Sequence, residues 1–224
     1  MTTIVFDSSV LISITEKCFL KILQRLHHQH GLRFVIPQSV FEEAVHHPES
    51  IRRFELNAVR LKQAVMDRWI EVIPQSDALR SLYAEFAELS NNSFFVNEKP
   101  LQLLQAGELE ALAVFKSLNA DALAIDERTC RMMLEDPYRL QSLIARRMDR
   151  QVQTDSSRLK KLSDLLGRPT VVRSCDLLAL AFSEKLFEGE LSQSKQGLEA
   201  ALWSVKFAGC AVSGIEITDF LRSV

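Results

Sequence analysis

The chain has 224 residues, of which 47% are hydrophobic and 25% are charged, and its net charge at pH 7 is −2. This length and composition fit one compact domain with a full core, and we take residues 1–224 as that single domain. No stretch reaches the roughly 18 consecutive apolar residues that a membrane span needs, and the N-terminus lacks a basic and apolar leader, so we expect a cytoplasmic protein with no membrane partner.

Short apolar segments alternate with amphipathic ones along the chain. Strands are predicted at residues 3–6, 33–36, 69–74, 121–126 and 170–172. Helices are predicted at residues 9–28, 39–47, 50–66, 76–90, 107–119, 175–187 and 194–208, and a polar loop at 90–100. Strands that alternate with helices of this length imply a parallel sheet covered on both faces. The predicted fold class is therefore α/β, with three layers (α/β/α) around a central parallel sheet.

The cysteines do not form a recognisable metal or disulfide pattern. Cys18, Cys130, Cys175 and Cys210 are scattered without CxxC spacing and have apolar neighbours. This distribution predicts reduced, buried thiols rather than a zinc site or a disulfide framework.

Four carboxylates stand near the predicted carboxyl edge of the sheet. Asp7 and Asp126 each close an apolar strand, and Glu43 and Glu108 each lie near the start of a helix. Because the carboxyl ends of parallel strands face one crevice, we expect these four side chains to converge there. Any one of them alone also fits the role of a helix cap. Together they favour a site for a hard divalent cation, Mg²⁺ or Mn²⁺.

Three further acidic residues leave alternatives open. Ser39 and Glu42 fit the capping box S-x-x-E, which would leave Glu43 as the freer carboxylate. Glu110 lies on a less hydrophobic side of its helix, so it ranks second to Glu108 as a metal ligand. Asp176 either joins the metal site or caps the following helix, and we favour the cap.

Residues 137–168 differ from the rest of the chain in charge. They contain eight basic and three acidic residues, whereas the whole chain carries a net charge of −2. One interpretation is a basic helical arm that holds phosphates near the carboxylate site. The other is a solvated helix pair whose leucines pack on the domain or on a second subunit. The residues allow both interpretations.

Four short motifs together resemble those of a known family. They are IVFDSSVLI, IPQSVFEEAV, AGELEALAV and ALAIDERTCR, and their order and spacing are similar to those of the PIN-domain ribonucleases, which include toxins of toxin–antitoxin pairs. The resemblance covers about residues 1–135, and residues 137–168 look like a helical insertion relative to the family. It implies an α/β/α fold, a homodimer, an antitoxin protein as a partner, and RNA cleavage with Mg²⁺ or Mn²⁺. The residues that match the family's ligand positions are Asp7, Glu43, Glu108 and Asp126.

Three classes of function fit these observations. The first is a ribonuclease that hydrolyses phosphodiester bonds with a bound metal and no protein nucleophile. The second is a non-catalytic RNA- or protein-binding module that keeps the fold, and the third is an oligomeric scaffold. The motifs GxGxxG, GxxxxGK[ST] and GxSxG are absent, which argues against dinucleotide binding, nucleoside triphosphate binding and serine hydrolase chemistry. The four carboxylates favour the first class, with RNA as the substrate.

Overall fold

The computed structural model describes residues 1–223 and is built around a parallel sheet. Its strands are β1 (Thr3–Phe6), β2 (Arg33–Pro37), β3 (Ile70–Ile73), β4 (Phe94–Val96), β5 (Lys99–Pro100), β6 (Ala122–Ala124), β7 (Gln153–Thr154) and β8 (Thr170–Val172). Five of these strands form the parallel sheet in the order β3-β2-β1-β6-β8. The other three form a small antiparallel sheet in the order β5-β4-β7.

Helices surround the parallel sheet. The first group is α1 (Ser8–Glu16), α2 (Leu20–His30), α3 (Gln38–Phe41), a π-helical segment (Glu42–His46), α4 (His47–Glu49), α5 (Glu55–Met66), α6 (Asp77–Asn91) and α7 (Ala106–Leu118). The second group is α8 (Arg128–Glu135), α9 (Pro137–Met148), α10 (Ser156–Leu166), α11 (Ser174–Ser183), α12 (Lys195–Ala208) and α13 (Gly214–Ser223). None of the helices described in residues 1–223 is long and apolar enough to cross a membrane.

The strand pattern creates two hydrophobic cores, one on each face of the sheet. Successive side chains of a strand point to opposite faces, so Ile4 and Phe6 pack on one side and Val5 on the other. The register places Val5 beside Val35 and Leu123, which face the same core. Helices α1, α2, α5, α11 and α12 cover the first face, and helices α6 to α10 cover the second. The predicted three-layer α/β/α fold is confirmed.

The strand order defines a switch point at the centre of the sheet. The chain runs outward from β1 through β2 to β3, and then returns to place β6 on the opposite side of β1. A crevice forms where the strand order reverses, outside the carboxyl ends of the two central strands. Asp7 directly follows β1 and Asp126 lies two residues after β6, so this crevice is the position at which the candidate site was expected.

Several predicted elements need correction. The helix predicted at 9–28 is two helices, because Cys18 adopts a left-handed backbone conformation (φ 63°) that ends the first one. The loop predicted at 90–100 contains the short strands β4 and β5, and helix α13 was not predicted. Cys18 is exposed, whereas the sequence pattern predicted that it would be buried; the other three cysteines are buried.

The basic segment 137–168 folds as α9, β7 and α10 and packs on the chain's own core. Strand β7 pairs with β4, and Arg158 of α10 donates a hydrogen bond to the Asn92 carbonyl over 2.9 Å. The leucines of the segment that are buried in the second core are Leu140, Leu159, Leu162 and Leu166. Because these leucines contact their own domain, they are not available to build an interface with a second subunit.

Candidate active site

An acidic cleft of about 340 Å³ lies at the carboxyl edge of the sheet. Four carboxylate residues line it: Asp7, Glu43, Glu108 and Glu127. The other lining residues described are Ser8, Ser9, Leu103, Gln105, Gly107 and Thr129, so neither lysine nor arginine is among them. The carboxylates therefore face one another without a basic side chain in the lining to compensate their charge.

Asp7 is held in a fixed orientation at the end of β1. It is the N-cap of α1, and its Oδ2 accepts hydrogen bonds from Ser9 N over 3.1 Å and from Ser9 Oγ over 2.5 Å. Burial raises the pKa of Asp7, the hydrogen bonds from Ser9 lower it, and the nearby charge of Glu43 raises it further. Its Oδ1 accepts no hydrogen bond from residues 1–223 and remains free to bind a ligand.

Glu43 is presented to the cleft from the π-helical segment. Such segments are rare and frequently occur at functional sites. The side chain is exposed and forms neither a hydrogen bond nor an ion pair within residues 1–223. Its Oε2 would lie 2.9 Å from a Cβ atom added at Gly107, and Asp7 Oδ1 would lie 3.8 Å from the same point. The absence of a side chain at Gly107 thus allows these two carboxylates to approach each other.

Glu108 supplies a buried carboxylate from the first turn of α7. Its Oε2 accepts a hydrogen bond from Gln105 N over 2.7 Å. Burial is the main cause that raises the pKa of Glu108 to about 8, and the charges of Asp7, Glu127 and Glu43 add to it. A carboxyl with this pKa retains its proton in much of the population at neutral pH, so the cleft disfavours one more negative charge.

Asp126 is adjacent to the cleft but does not line it. The side chain is 1% exposed, and its Oδ1 accepts a hydrogen bond from Ser174 N over 2.8 Å. Its Oδ2 is buried and has no hydrogen-bond partner among the described residues. Ser9 connects it to the cleft, because Ser9 Oγ accepts a hydrogen bond from Asp126 N over 3.1 Å while donating to Asp7.

Glu127 lines the cleft although it was not among the predicted site residues. It caps α8, with Oε2 accepting a hydrogen bond from Cys130 N over 2.8 Å. The only sequence signal for it is its position directly after Asp126, at the same strand end. The sequence could therefore indicate an acidic pair here without indicating which member faces the cleft.

The remaining acidic neighbours are occupied as helix caps or in ion pairs. The predicted capping box of Ser39 and Glu42 is wrong: Ser39 N donates to Glu110 Oε2 over 2.8 Å, and Glu42 accepts from Gln38 instead. Glu110 is thereby committed to the start of α3. Asp176 accepts hydrogen bonds from the backbone and side chain of Arg173 at the start of α11.

The donor chemistry of the cleft fits a hard divalent cation. Carboxylate oxygens are the ligands that Mg²⁺ and Mn²⁺ prefer, and Asp7 Oδ1, the Glu43 carboxylate and the orphaned Asp126 Oδ2 are free to serve. Burial is the main cause of the raised pKa of Glu108, and a bound cation would also relieve the smaller contribution from the charges of Asp7, Glu127 and Glu43. No three His, Cys, Asp or Glu side chains of residues 1–223 are arranged to hold one ion, so binding would require them to move together.

The protein has a three-layer α/β/α fold with an acidic cleft at the central switch point of its sheet. It therefore belongs to the class of α/β folds that carry a carboxylate site at the carboxyl ends of the central strands. The family profile of the PIN domain matches residues 3–136, more than half of the chain, and the chain belongs to the PIN-domain family. PIN domains are generally nucleases, so the fold is of a nuclease type. No curated protein and no solved structure gives a significant match to the chain. The matched range ends at the residue before α9, so segment 137–168 lies outside it.

Proposed function

We propose that the protein is a metal-dependent ribonuclease that hydrolyses RNA phosphodiester bonds. The observation that carries the proposal is the convergence of Asp7, Glu43 and Glu108 on one cleft at the switch point of a PIN domain. Asp7 and Glu108 also cap helices, but Glu43 has no hydrogen bond or ion pair within residues 1–223, and its proximity to the other two carboxylates is unfavourable without a cation.

Asp7, Glu43, Glu108 and Asp126 are the proposed metal ligands, and Mg²⁺ or Mn²⁺ is the proposed cofactor. When bound, such an ion lowers the pKa of a water molecule and stabilises negative charge on the phosphate. Ser9 holds Asp7 in place through two hydrogen bonds. Glu127 is a further candidate ligand, because it lines the cleft directly, whereas Asp126 is connected to the cleft only through its hydrogen bond with Ser9.

The toxin assignment, the antitoxin partner, the homodimer and the cytoplasmic location belong to this proposal. Exposed apolar side chains on α5 support a protein partner at that helix, since Leu56 is 61% and Val59 is 48% exposed. Growth arrest on expression, relieved by the product of a neighbouring gene, tests the toxin role. The mass in solution tests the homodimer.

Cleavage of a mixed total-RNA sample tests the nuclease activity. Wild-type protein and the variant Asp126→Asn are each assayed with EDTA, Mg²⁺ and Mn²⁺. Asp164→Asn is the matched control, because Asp164 is an exposed residue of α10 with no ion pair among the described residues. We expect wild-type protein and the control to cut only with metal and Asp126→Asn to be inactive. Full metal-dependent activity of Asp126→Asn would show that Asp126 is not a required metal ligand.

A second function is favoured by two features of the site. The cleft side chains are not arranged around a common ion, and Asp126 Oδ1 is occupied by Ser174. Both features suit a PIN-like module that binds RNA without cutting it. In the same experiment such a module would retain RNA and leave it intact under every metal condition.

A further inference from the structure

A groove between α8 and α9 begins beside the acidic cleft. It has a volume of about 530 Å³ and is continuous with a second cavity of about 590 Å³ that extends toward α13. Both cavities are lined by Arg128, Met132, Asp136 and Arg139. Arg128 lies between Glu127 and Thr129, which line the acidic cleft, so one short stretch of chain borders both the groove and the candidate active site.

The groove has a positive charge that the protein does not neutralise. Arg128, Arg139 and Arg146 line it, and the guanidinium groups of all three are without an ion pair or hydrogen bond in residues 1–223. Asp136 is the one acidic residue of that lining, and its Oδ1 accepts a hydrogen bond from Arg139 N at the start of α9. An unpaired guanidinium is a strong donor for phosphate oxygens.

Two of the three acidic residues that line the second cavity form ion pairs, and the third is Asp136, which both cavities share. Glu135 forms an ion pair with Arg131 over 3.6 Å, and Glu216 forms one with Arg173 over 2.8 Å. The lining of the groove has three arginines and one acidic residue, whereas that of the second cavity has four basic and three acidic residues, so the excess of positive charge is greater in the groove. The groove lies next to a cleft whose negative charge would repel RNA, and a chain with a net charge of −2 needs such a local patch to hold a polyanion.

The spacing of the arginines suits an extended backbone. Arg139, Ser142 and Arg146 lie on one face of α9, and the helical rise separates the two arginines by about 10 Å along the axis. Tyr138 lines the same groove and is 58% exposed, so much of its side chain is accessible to a base. A cationic groove with an exposed aromatic ring is the combination that binds single strands, because unpaired bases can stack on the ring.

We propose that the α8–α9 groove binds single-stranded RNA, with Arg128, Arg139 and Arg146 on its phosphates and Tyr138 stacked on a base. The groove would lead the strand to the acidic cleft, and in this respect the inference rests on the proposed nuclease function. Binding itself needs neither metal nor cleavage. The basic segment 137–168 would then have two roles, since its leucines stabilise the domain and its first helix holds the substrate.

Equilibrium binding in EDTA tests the proposal without cleavage. The 224-residue chain is titrated into a fluorescein-labelled single-stranded RNA of about 12 nucleotides, a length within the site sizes typical of single-strand binders. It is also titrated into the same sequence as a duplex, and both titrations are repeated at several salt concentrations. The test variants are Arg139→Gln/Arg146→Gln and Tyr138→Ala. The matched control is Arg147→Gln/Lys160→Gln, which removes two exposed charges of the same segment that do not line the groove.

We expect Arg139→Gln/Arg146→Gln to weaken single-strand binding at least roughly tenfold, since each substitution removes a hydrogen bond between a charged group and a phosphate. The slope of log affinity against log salt should become shallower by about 1.4, because each arginine that no longer binds a phosphate of a single strand reduces it by about 0.7. Tyr138→Ala should weaken single-strand binding by roughly fivefold or more and leave duplex binding unchanged. The control should bind like wild-type protein.

Three outcomes would contradict the proposal that the groove binds single-stranded RNA. They are no RNA binding by the wild-type protein, equally weakened binding by the control, and a duplex bound as tightly as the single strand. Failure of the nuclease proposal gives a different result. If RNA binds through Arg139 and Arg146 but is never cut with metal, the groove proposal stands and the nuclease proposal is wrong. If the protein cuts RNA with metal but the groove variants bind RNA as tightly as wild-type protein, the nuclease proposal stands and the groove proposal is wrong.

Discussion

Gly107 on α7 and Glu43 on the π-helical segment are in such close contact that a single added methyl group would separate them. A Cβ atom at Gly107 would lie 2.9 Å from Glu43 Oε2, shorter than real Cβ contacts allow. The glycine is needed for the close approach of a carboxylate and not for an unusual backbone angle, since its φ is in the ordinary helical range. This approach brings Glu43 toward Asp7.

Gly107→Ala should therefore abolish or strongly reduce cleavage while the protein stays folded. The displaced atom is the end of a flexible, exposed side chain, so the substitution should change the free energy of unfolding by less than about 1 kcal/mol. Metal-dependent RNA cleavage and urea unfolding of the same samples measure the two effects. Unchanged cleavage by Gly107→Ala would show that the position of Glu43 does not matter for the activity.

Ser9→Ala should lower both stability and activity. The substitution removes the donor to Asp7 Oδ2 and leaves the buried Asp126 N–H without its partner, which costs about 1–3 kcal/mol. Loss of a group that orients a ligand typically costs about 10–100-fold in activity. Ser13→Ala is the control, since Ser13 is a buried serine of the same helix that does not line the cleft. Equal activities of the two variants would contradict the positioning role of Ser9.

Glu108→Gln should stabilise the metal-free protein at alkaline pH. The pKa of Glu108 is about 8 in the folded protein against an ordinary value of 4.5. Below pH 4.5 the carboxyl is protonated in both the folded and the unfolded state. Above this pH the unfolded chain ionises more readily, so wild-type protein loses stability progressively up to about pH 8, and the neutral glutamine does not.

Thermal unfolding in EDTA between pH 4.5 and 8 measures this effect. We expect the Tm of Glu108→Gln to exceed that of wild-type protein by roughly 10 °C at pH 8 and to match it closely at pH 4.5. Glu85→Gln, at an exposed position of α6, is the control. Mn²⁺ should raise the Tm of the wild-type protein more than that of Glu108→Gln. A Tm difference that is constant with pH would contradict the raised pKa.

Glu216→Gln should destabilise the protein at neutral pH, and progressively less as the pH falls below 4.5. Burial raises the pKa of Glu216, but hydrogen bonds from Ser213 and Arg173 outweigh this and lower it to about 2. The stabilisation is present above pH 4.5 and is lost as the pH falls toward 2. Because the side chain is 44% exposed, we expect a loss of only about 1 kcal/mol at pH 7.

Urea unfolding at pH 7, 4.5 and 3 follows that loss. The difference between Glu216→Gln and wild-type protein should shrink steadily below pH 4.5. The exposed Glu199 of α12 provides the control Glu199→Gln, which should match wild-type protein at each pH. A difference that persists undiminished at pH 3 would argue against the ion pair with Arg173 as its source.

Short but uninterrupted apolar runs made the central sheet predictable from sequence. Strand β1 is buried on both faces, so it appears as a continuous run of apolar residues that ends at Asp7. The break between α1 and α2 was missed because Cys18 adopts the left-handed conformation without the usual glycine. Strands β4 and β7 were missed because they have only three and two residues, and their pairing joins Phe94 to the distant Thr154.

The candidate site was predictable in composition but not in detail. The order of strand ends and helix starts indicated that Asp7, Glu43 and Glu108 would share a crevice, and they line one cleft. Which of Asp126 and Glu127 faces that cleft depends on the turn into α8, where Glu127 caps the helix. Turn geometry of this kind is set by tertiary contacts such as the Ser174–Asp126 hydrogen bond, which no local pattern encodes.

The most direct test of the nuclease proposal is the initial rate of cleavage of one defined fluorescent RNA as a function of Mn²⁺ concentration. It compares wild-type protein, Asp7→Asn and the control Asp164→Asn, with folding checked by thermal unfolding. We expect saturable Mn²⁺-dependent cleavage by wild-type protein and the control, and a rate at least about 100-fold lower for Asp7→Asn at every Mn²⁺ concentration. Equal rates for Asp7→Asn and wild-type protein, or cleavage that persists in EDTA, would contradict a carboxylate-held metal as the basis of the activity.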